Sequence, residues 1–252
     1  MNPAELDHIA ELEDSFWWYT GMREILFSLL DPVLASASST QRPLKLLEVG
    51  CGTGYMTGRF EQRYKLKSYP TDLAWQALEY INKAGIQRAV QSDATRLPYA
   101  AESFDIAMGL DVLVHLRPGD EHRAVQELAR VLKRSGLLVL RVAALEMLRS
   151  RHSQFILEYQ RFTRKRLLGV MDAHGFQVIR STYANTILMP IALAKFRIWE
   201  SLLRKPPASG VTQIGNGTNR LLERALMTER KWLAAGHNLP IGQSLIAIAK
   251  KA

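Results

Sequence analysis

The densest chemical signal is the run Leu44-Lys45-Leu46-Leu47-Glu48-Val49-Gly50-Cys51-Gly52-Thr53-Gly54. An apolar strand ends in an acid, then a glycine-rich turn leads into a helix. Glycine has no Cβ and accepts positive φ, so such a turn lets the backbone approach a nucleotide-like ligand closely. Gly50, Gly52 and Gly54 follow Gly-x-Gly-x-Gly, one residue short of the dinucleotide-binding Gly-x-Gly-x-x-Gly. A pyrophosphate needs room at the helix N-terminus. The tighter turn suits a ligand with an adenosine and no phosphates, and S-adenosylmethionine is such a ligand. A strand-to-helix turn that binds nothing is the alternative.

Acids stand where the next strands end. Leu66 to Thr71 reads as a second strand, and Asp72-Leu73 follows it. Asp72 lies roughly twenty residues past the first glycine, where a doubly wound fold places an acid for both ribose hydroxyls. A third short strand, Arg88 to Ser92, ends at Asp93-Ala94, and a carboxylate there can accept from an adenine amino group. A fourth strand, Phe104 to Leu110, leads into Asp111-Val112-Leu113-Val114-His115. Ligands gather at the carboxyl ends of such strands, so His115 is a candidate general base or acceptor-orienting group. A histidine that only bonds a loop backbone is the alternative. Upstream, Phe16-Trp17-Trp18-Tyr19 precedes Arg23. Trp18 can face a sulfonium by cation–π attraction and Arg23 can pair with a carboxylate. Plain core packing would explain the aromatics equally.

In these motifs the chain resembles the class I S-adenosylmethionine-dependent methyltransferases. The matching run covers about residues 44–144. It comprises Leu47 to Gly54, Thr71-Asp72-Leu73, Ser92-Asp93-Ala94, Leu97-Pro98 with Ser103-Phe104-Asp105, Asp111 to His115, and Leu132-Lys133-Arg134-Ser135-Gly136-Leu137-Leu138. The resemblance implies that Gly50, Gly52 and Gly54 border the methionine part of S-adenosylmethionine. It further implies that Asp72 binds ribose, that Asp93 binds adenine, and that Glu48 orders the turn near the methionine amino group. The layout also looks like bacterial enzymes acting on small molecules. That makes His152, Tyr159, Arg161 and Tyr183 acceptor-site candidates. The Asn/Asp-Pro-Pro-Tyr/Phe motif of nucleobase and amide N-methyltransferases is absent after the fourth strand.

The elements that must position these residues alternate strand and helix. The expected fold is α/β: a Rossmann-like, doubly wound, seven-stranded sheet, mostly parallel, with helices on both faces. By the resemblance its last strand is antiparallel. Further elements are a helix over 20–35, one from Pro118 to Lys133, a fifth strand over Gly136 to Ala143, and a helix capped by Thr163 and ended by Gly175. Strand six is Gln177 to Tyr183 and strand seven is Ser244 to Lys250. Residues 145–160 are irregular in pattern. Between the last two strands stand helices Ile187 to Leu203 and Asn219 to Ala235, with a linker Lys205 to Gly210. The chain is expected to be a single domain: 1–43 an N-terminal helical lid containing the linker Ser36 to Pro43, 44–185 the core, 186–243 a helical insertion acting as a cap or dimerisation element, and 244–252 the last strand.

Composition bounds the function. The 252 residues carry 47% hydrophobic and 23% charged side chains, ordinary for a soluble globular protein. Cys51 is the single cysteine, so no internal disulfide can form and a cytoplasmic, reducing setting is expected. Its place in the turn suits a small filler better than a catalytic thiol. No signal peptide, transmembrane run or metal-ligand cluster is read from the sequence. Residues 1–140 hold 15 Lys and Arg against 18 Asp and Glu, whereas residues 141–252 hold 18 against 6. The basic second part raises an anionic acceptor, an anionic surface or nucleic acid as partner, or simply a solvated basic face. The leading expectation is methyl transfer to a small-molecule acceptor at oxygen or carbon. An RNA methyltransferase and a non-catalytic methyltransferase-like binding protein are the alternatives.

Overall fold

The computed structural model describes residues 4–35, 42–200 and 206–252. Seven strands form one sheet: β1 Lys45–Val49, β2 Lys67–Asp72, β3 Val90–Gln91, β4 Phe104–Leu110, β5 Leu132–Ala143, β6 Phe176–Ala184 and β7 Ser244–Lys251. Their order is β3-β2-β1-β4-β5-β7-β6. The pairs among β1 to β5 are parallel, and β7 runs antiparallel between β5 and β6. This is the expected doubly wound architecture. Strands buried on both faces read as nearly continuous apolar runs, as Leu137 to Leu140 and Leu245 to Ala249 do.

One face is covered by α5 Asp120–Val131 and α7 Arg164–Ala173. Val125, Leu128, Leu167 and Met171 pack there with Leu47, Ala107, Leu138 and Ala247. Thr163 caps α7 by accepting from the Arg166 N–H, and Gly175 takes φ +79 just past its end, as the sequence suggests. The opposite face is covered by α2 Trp17–Ala35, with α9 Asn216–Ala234 lying on it. Met22, Ile25, Leu26, Leu29 and Leu30 pack against Leu46, Ile106, Val139 and Ile248, and Leu226 and Leu233 of α9 join them. At Gly21 a Cβ would stand 2.4 Å from Leu226 Cδ1, so the absence of a side chain sets the closeness of the two helices.

Several expectations change. Residues 17–35 are a core layer instead of part of a lid, because α2 is squeezed between sheet and α9 and is apolar on most sides. Trp17, Trp18 and Tyr19 of the aromatic run therefore open that helix, and Phe16 directly precedes it. A separate helix before it, α1 Ala4–Leu12, has no counterpart in the sequence reading. The edge strand β3 is shorter than read, since only Thr71–Val90 and Asp72–Gln91 pair there. Strand β5 begins at Leu132, directly after α5, with a register shift opposite Phe104 and Ile106. Residues 145–160 contain a short turn, Glu146–Leu148, and α6 Arg151–Phe155. α3 Tyr55–Tyr64 follows β1 and α4 Trp75–Lys83 follows β2; in the insertion, α8 Met189–Ala194 runs on into a π-turn, Lys195–Trp199. The expected continuation over 201–203, Lys205 and most of the 36–43 linker lie outside the described residues. The insertion covers its own chain's core through α9, whose outer face leaves Leu221 and Trp232 exposed.

Candidate active site

A cavity of about 590 Å³ opens over the carboxyl ends of β1 to β5. Its floor at β1 is the glycine turn. Gly50, Gly52 and Gly54 take φ +70, +55 and +79. Thr71 C=O accepts from the N–H groups of both Gly50 and Cys51, at 2.8 and 3.0 Å, which pins the turn to β2. Gly52 lines the cavity, and a Cβ there would meet only Leu6 Cδ2, at 3.7 Å. Gly54 does not line the cavity. A Cβ there would stand 2.7 Å from Ile81 Cγ1, so this glycine serves the close packing of α3 on α4.

Asp72 ends β2 with both oxygens engaged: Oδ2 accepts from Gly52 N–H and Oδ1 from Ala74 N–H, each at 2.9 Å. The carboxylate is thus fixed before any ligand arrives, with lone pairs left for hydroxyl donors. Leu73 and Asp93-Ala94 line the same end of the cavity. Asp93 Oδ1 is held by Thr95 N–H and Oγ1–H, both at 2.8 Å. Leu73 is 68% exposed, a large apolar surface that a flat ring can cover. Glu48 is buried under the turn and accepts from Thr57 Oγ1–H. Burial pushes its carboxyl up to about 7, the Asp72 charge adding to the shift and Arg141 opposing it. Burial likewise pushes the Cys51 thiol up, away from thiolate chemistry.

His115 sits in the turn after β4, at the middle of the cavity wall. Its Nδ1 lies 3.1 Å from Leu157 C=O. A carbonyl only accepts, so Nδ1 carries the proton and Nε2 keeps its lone pair. Burial lowers its pKa, which keeps the ring neutral at pH 7. Beyond it the wall is made by α1, α6 and the segment after α8. Glu5 is buried, accepts from Ser209 Oγ–H at 3.1 Å, and has its pKa raised by burial. His152 Nδ1 accepts from Gly210 N–H at 2.9 Å, and burial pushes this histidine down to about 4. Glu13, pushed up to about 7 by burial, accepts from Thr53 Oγ1–H at 2.5 Å and ties the residues just past α1 to the glycine turn.

Residues 47–140 match the family model described as a methyltransferase domain. Over that run the chain is similar to methyltransferase domains. Over 113 residues it is 32% identical to a malonyl-[acyl-carrier protein] O-methyltransferase of Coxiella burnetii, covering 45% of this chain and 38% of that protein. It is 28% identical over 124 residues to the O-methyltransferase rstn1 of Aspergillus nomiae, covering 46% and 54%. The chain thus spans about half or less of the length of these relatives. A SAM-dependent methyltransferase structure from Archaeoglobus fulgidus superposes with a TM-score of 0.57 at 16% identity, covering 91% of this chain and 94% of that one.

The site's own geometry fits S-adenosylmethionine: glycine backbone along the cavity floor, a fixed carboxylate at the end of β2, and the buried acid Glu48 beside the turn, suited to a cation. Of the residues singled out from the sequence, Glu48, Gly50, Gly52, Asp72, Leu73, Asp93, Ala94, Trp18, Arg23, His115, His152 and Arg161 all line the cavity. Tyr159 and Tyr183 do not. Tyr159 is half exposed on the outside, and Tyr183 is buried, its hydroxyl accepting from Arg164 N–H at 3.1 Å. Arg23 approaches the Tyr55 hydroxyl and Glu24. One face of Trp18 carries the Arg141 guanidinium, 4.9 Å from the ring.

The basic cluster after Phe162 is not an open anion-binding face. Arg161 pairs with buried Glu158 at 2.6 Å, Arg166 pairs with Glu121, and Arg164 donates to Leu239 C=O, leaving Lys165 exposed. Sequence reasoning missed Glu5, Glu13 and Arg141. A lone arginine inside the apolar β5 run Leu137 to Val142 was a usable signal, since a charge in a central strand needs a partner. Acids on a short helix carry no such signal. Among the described residues no helix is long and apolar enough to cross a membrane, and no group of three or more His, Cys, Asp or Glu is placed to hold a metal.

Proposed function

We propose that the chain transfers the methyl group of S-adenosylmethionine to a small-molecule acceptor, at oxygen or carbon. The observation that carries this reading is one continuous cavity joining Asp72 and Asp93 to His115, whose Nε2 is unprotonated. Bound S-adenosylmethionine supplies an activated methyl group for in-line displacement. Asp72 would orient it through the ribose, Asp93 through adenine, and Glu48 would face its amino group. Transfer then depends on alignment and exclusion of water. Phe16, Trp17, Tyr19 and Ile9 supply apolar wall for that exclusion. An acceptor hydroxyl or carbon acid must lose a proton, and His115 Nε2 would take it. On α7, Arg164 and Arg166 are engaged by Leu239 C=O and Glu121, which weighs against a nucleic-acid partner at that helix.

The test is release of S-adenosylhomocysteine against a panel of hydroxylated and carbon-acid acceptors. His115→Gln should lower kcat by about 100-fold or more while S-adenosylmethionine affinity stays unchanged. Unchanged kcat would remove His115 from the chemistry. Absence of S-adenosylmethionine binding by the wild type would sink the whole reading.

A further inference from the structure

We propose that Arg141 is an oxyanion receptor inside the cavity and anchors a carboxylate carried by the acceptor. The inference rests on the small-molecule reading above and names the acceptor's chemical class. Arg141 stands on β5 and is only 9% exposed, yet it lines the cavity. Its Nε and Nη2 both donate to Asp111 Oδ2, at 2.9 and 2.6 Å. Trp18 closes one face of the guanidinium. Among the described residues Nη1 has no hydrogen-bond partner, and it is not among the buried atoms sealed from solvent. Its N–H groups therefore open into the cavity. A guanidinium locked by an ion pair and a ring stack, with one edge free, is preorganised for a planar oxyanion, and such charge-assisted bonds are about twice as strong as neutral ones.

Position favours the acceptor as the source of that oxyanion. Across the floor the strands run β3, β2, β1, β4, β5. Asp93, Asp72 and the glycine turn occupy the ends of the first three, which is the adenosine and methionine side. Arg141 lies beyond β4, on the far side of the turn that carries His115. The cofactor's own carboxylate is the other source, and Arg23, near the start of α3, is better placed for it. Asp111 already neutralises Arg141, and Glu48 is close by. The positive sulfonium of the bound cofactor would offset the added negative charge.

Calorimetry on the whole chain separates the sources. Wild type, Arg141→Lys and Arg141→Gln are titrated with S-adenosylmethionine and with its decarboxylated analogue. Each is then saturated with sinefungin, a cofactor analogue whose amine keeps a positive charge near the sulfonium's place, and titrated with benzoate and malonate. The lysine variant keeps the charge opposite Asp111 but loses the planar fork, so it guards against a folding defect in the glutamine variant. The expected result is that at least one carboxylate binds wild type and binds both variants at least tenfold more weakly. Both cofactor forms should meanwhile change in parallel. If the variants instead erase the wild type's preference for S-adenosylmethionine over the decarboxylated form, Arg141 serves the cofactor and the acceptor assignment falls. Carboxylate binding that is equal in all three proteins, or absent from wild type, overturns the receptor itself. Failure of the methyltransferase reading would show separately, as loss of S-adenosylmethionine binding by wild type.

Discussion

Glu48 offers the sharpest test of the site's electrostatics. Its side chain is 2% exposed, and burial raises its carboxyl from 4.5 to about 7. In the unfolded chain the group ionises near its ordinary value. Between about pH 4.5 and 7 the folded state therefore holds a proton that the unfolded state has released. Stability must fall as pH rises through that window, and level off above it. The full difference corresponds to about 3 kcal/mol, an upper bound because partial solvation softens such shifts. Glu48→Gln keeps an oxygen to accept from Thr57 and removes the titration. Urea denaturation from pH 5 to 8.5 should show the variant gaining on wild type by about 1 to 3 kcal/mol across that range. Glu13 titrates in the same direction, so the difference between the two proteins, and not either curve alone, is the measurement. The proposed cofactor pose adds a second readout. A cationic amino group beside Glu48 favours its ionised form, so binding should release a proton below about pH 7. Affinity should then rise between pH 6 and 8 in wild type, and not in the variant. A stability difference that stays constant with pH, together with proton-neutral binding, would refute the argument.

Asp72→Ala removes the brace on Gly52 and Ala74 along with the ribose acceptor, and should weaken S-adenosylmethionine binding by about 1.5–3 kcal/mol in calorimetry; unchanged affinity would reject the ribose role. Gly54→Ala forces a side chain into positive φ and against Ile81, and should cost about 2 kcal/mol or more of stability with little direct effect on the cavity wall, read as a lowered denaturant midpoint. Arg161→Ala leaves buried Glu158 with only the longer Arg149 ion pair, 4.0 Å away, and should destabilise by about 2–3 kcal/mol, while the salt dependence of activity stays as in wild type.

The sheet and the cofactor end were legible because each of their signals is local. A glycine that must take positive φ, or an acid that must end a strand, is specified within a few residues of itself. Gly50, Gly52 and Asp72 are of that kind, and the structure places them together. Gly54 shows the limit: the backbone conformation was legible, but its neighbour Ile81 comes from another helix. The role of α2 was illegible for the same reason. Its pattern, Ile25, Leu26, Leu29 and Leu30, marks one buried face, whereas α9 arrives from about two hundred residues later to bury a second. The cavity end proposed for the acceptor is assembled from α1, α6 and the 206–211 segment through contacts such as Ser209 to Glu5 and Gly210 to His152. None of these pairs is near in sequence, so no spacing rule could announce them.

Charge composition was the least faithful guide, and the reason is physical. A net count treats every arginine as a surface charge, but a guanidinium can also bind carboxylates and carbonyls inside a fold. The second part of this chain uses its arginines in that way. Arg149 bonds Glu146 and the Glu158 carbonyl, and Arg161 bonds Glu158 and the Ala144 carbonyl. Arg180 bonds the Leu233 and His237 carbonyls at the end of α9. Carbonyl partners carry no formal charge, so they absorb arginine donors without reducing the net count. The basic excess is in part a record of how loops and the insertion are fastened to the sheet. Arg141 differs from Arg149 and Arg161, whose three guanidinium nitrogens are all engaged: among the described residues its Nη1 has no hydrogen-bond partner, and the residue lines the cavity. Within the basic part of the chain, an arginine's unused donors mark a ligand site better than its charge does.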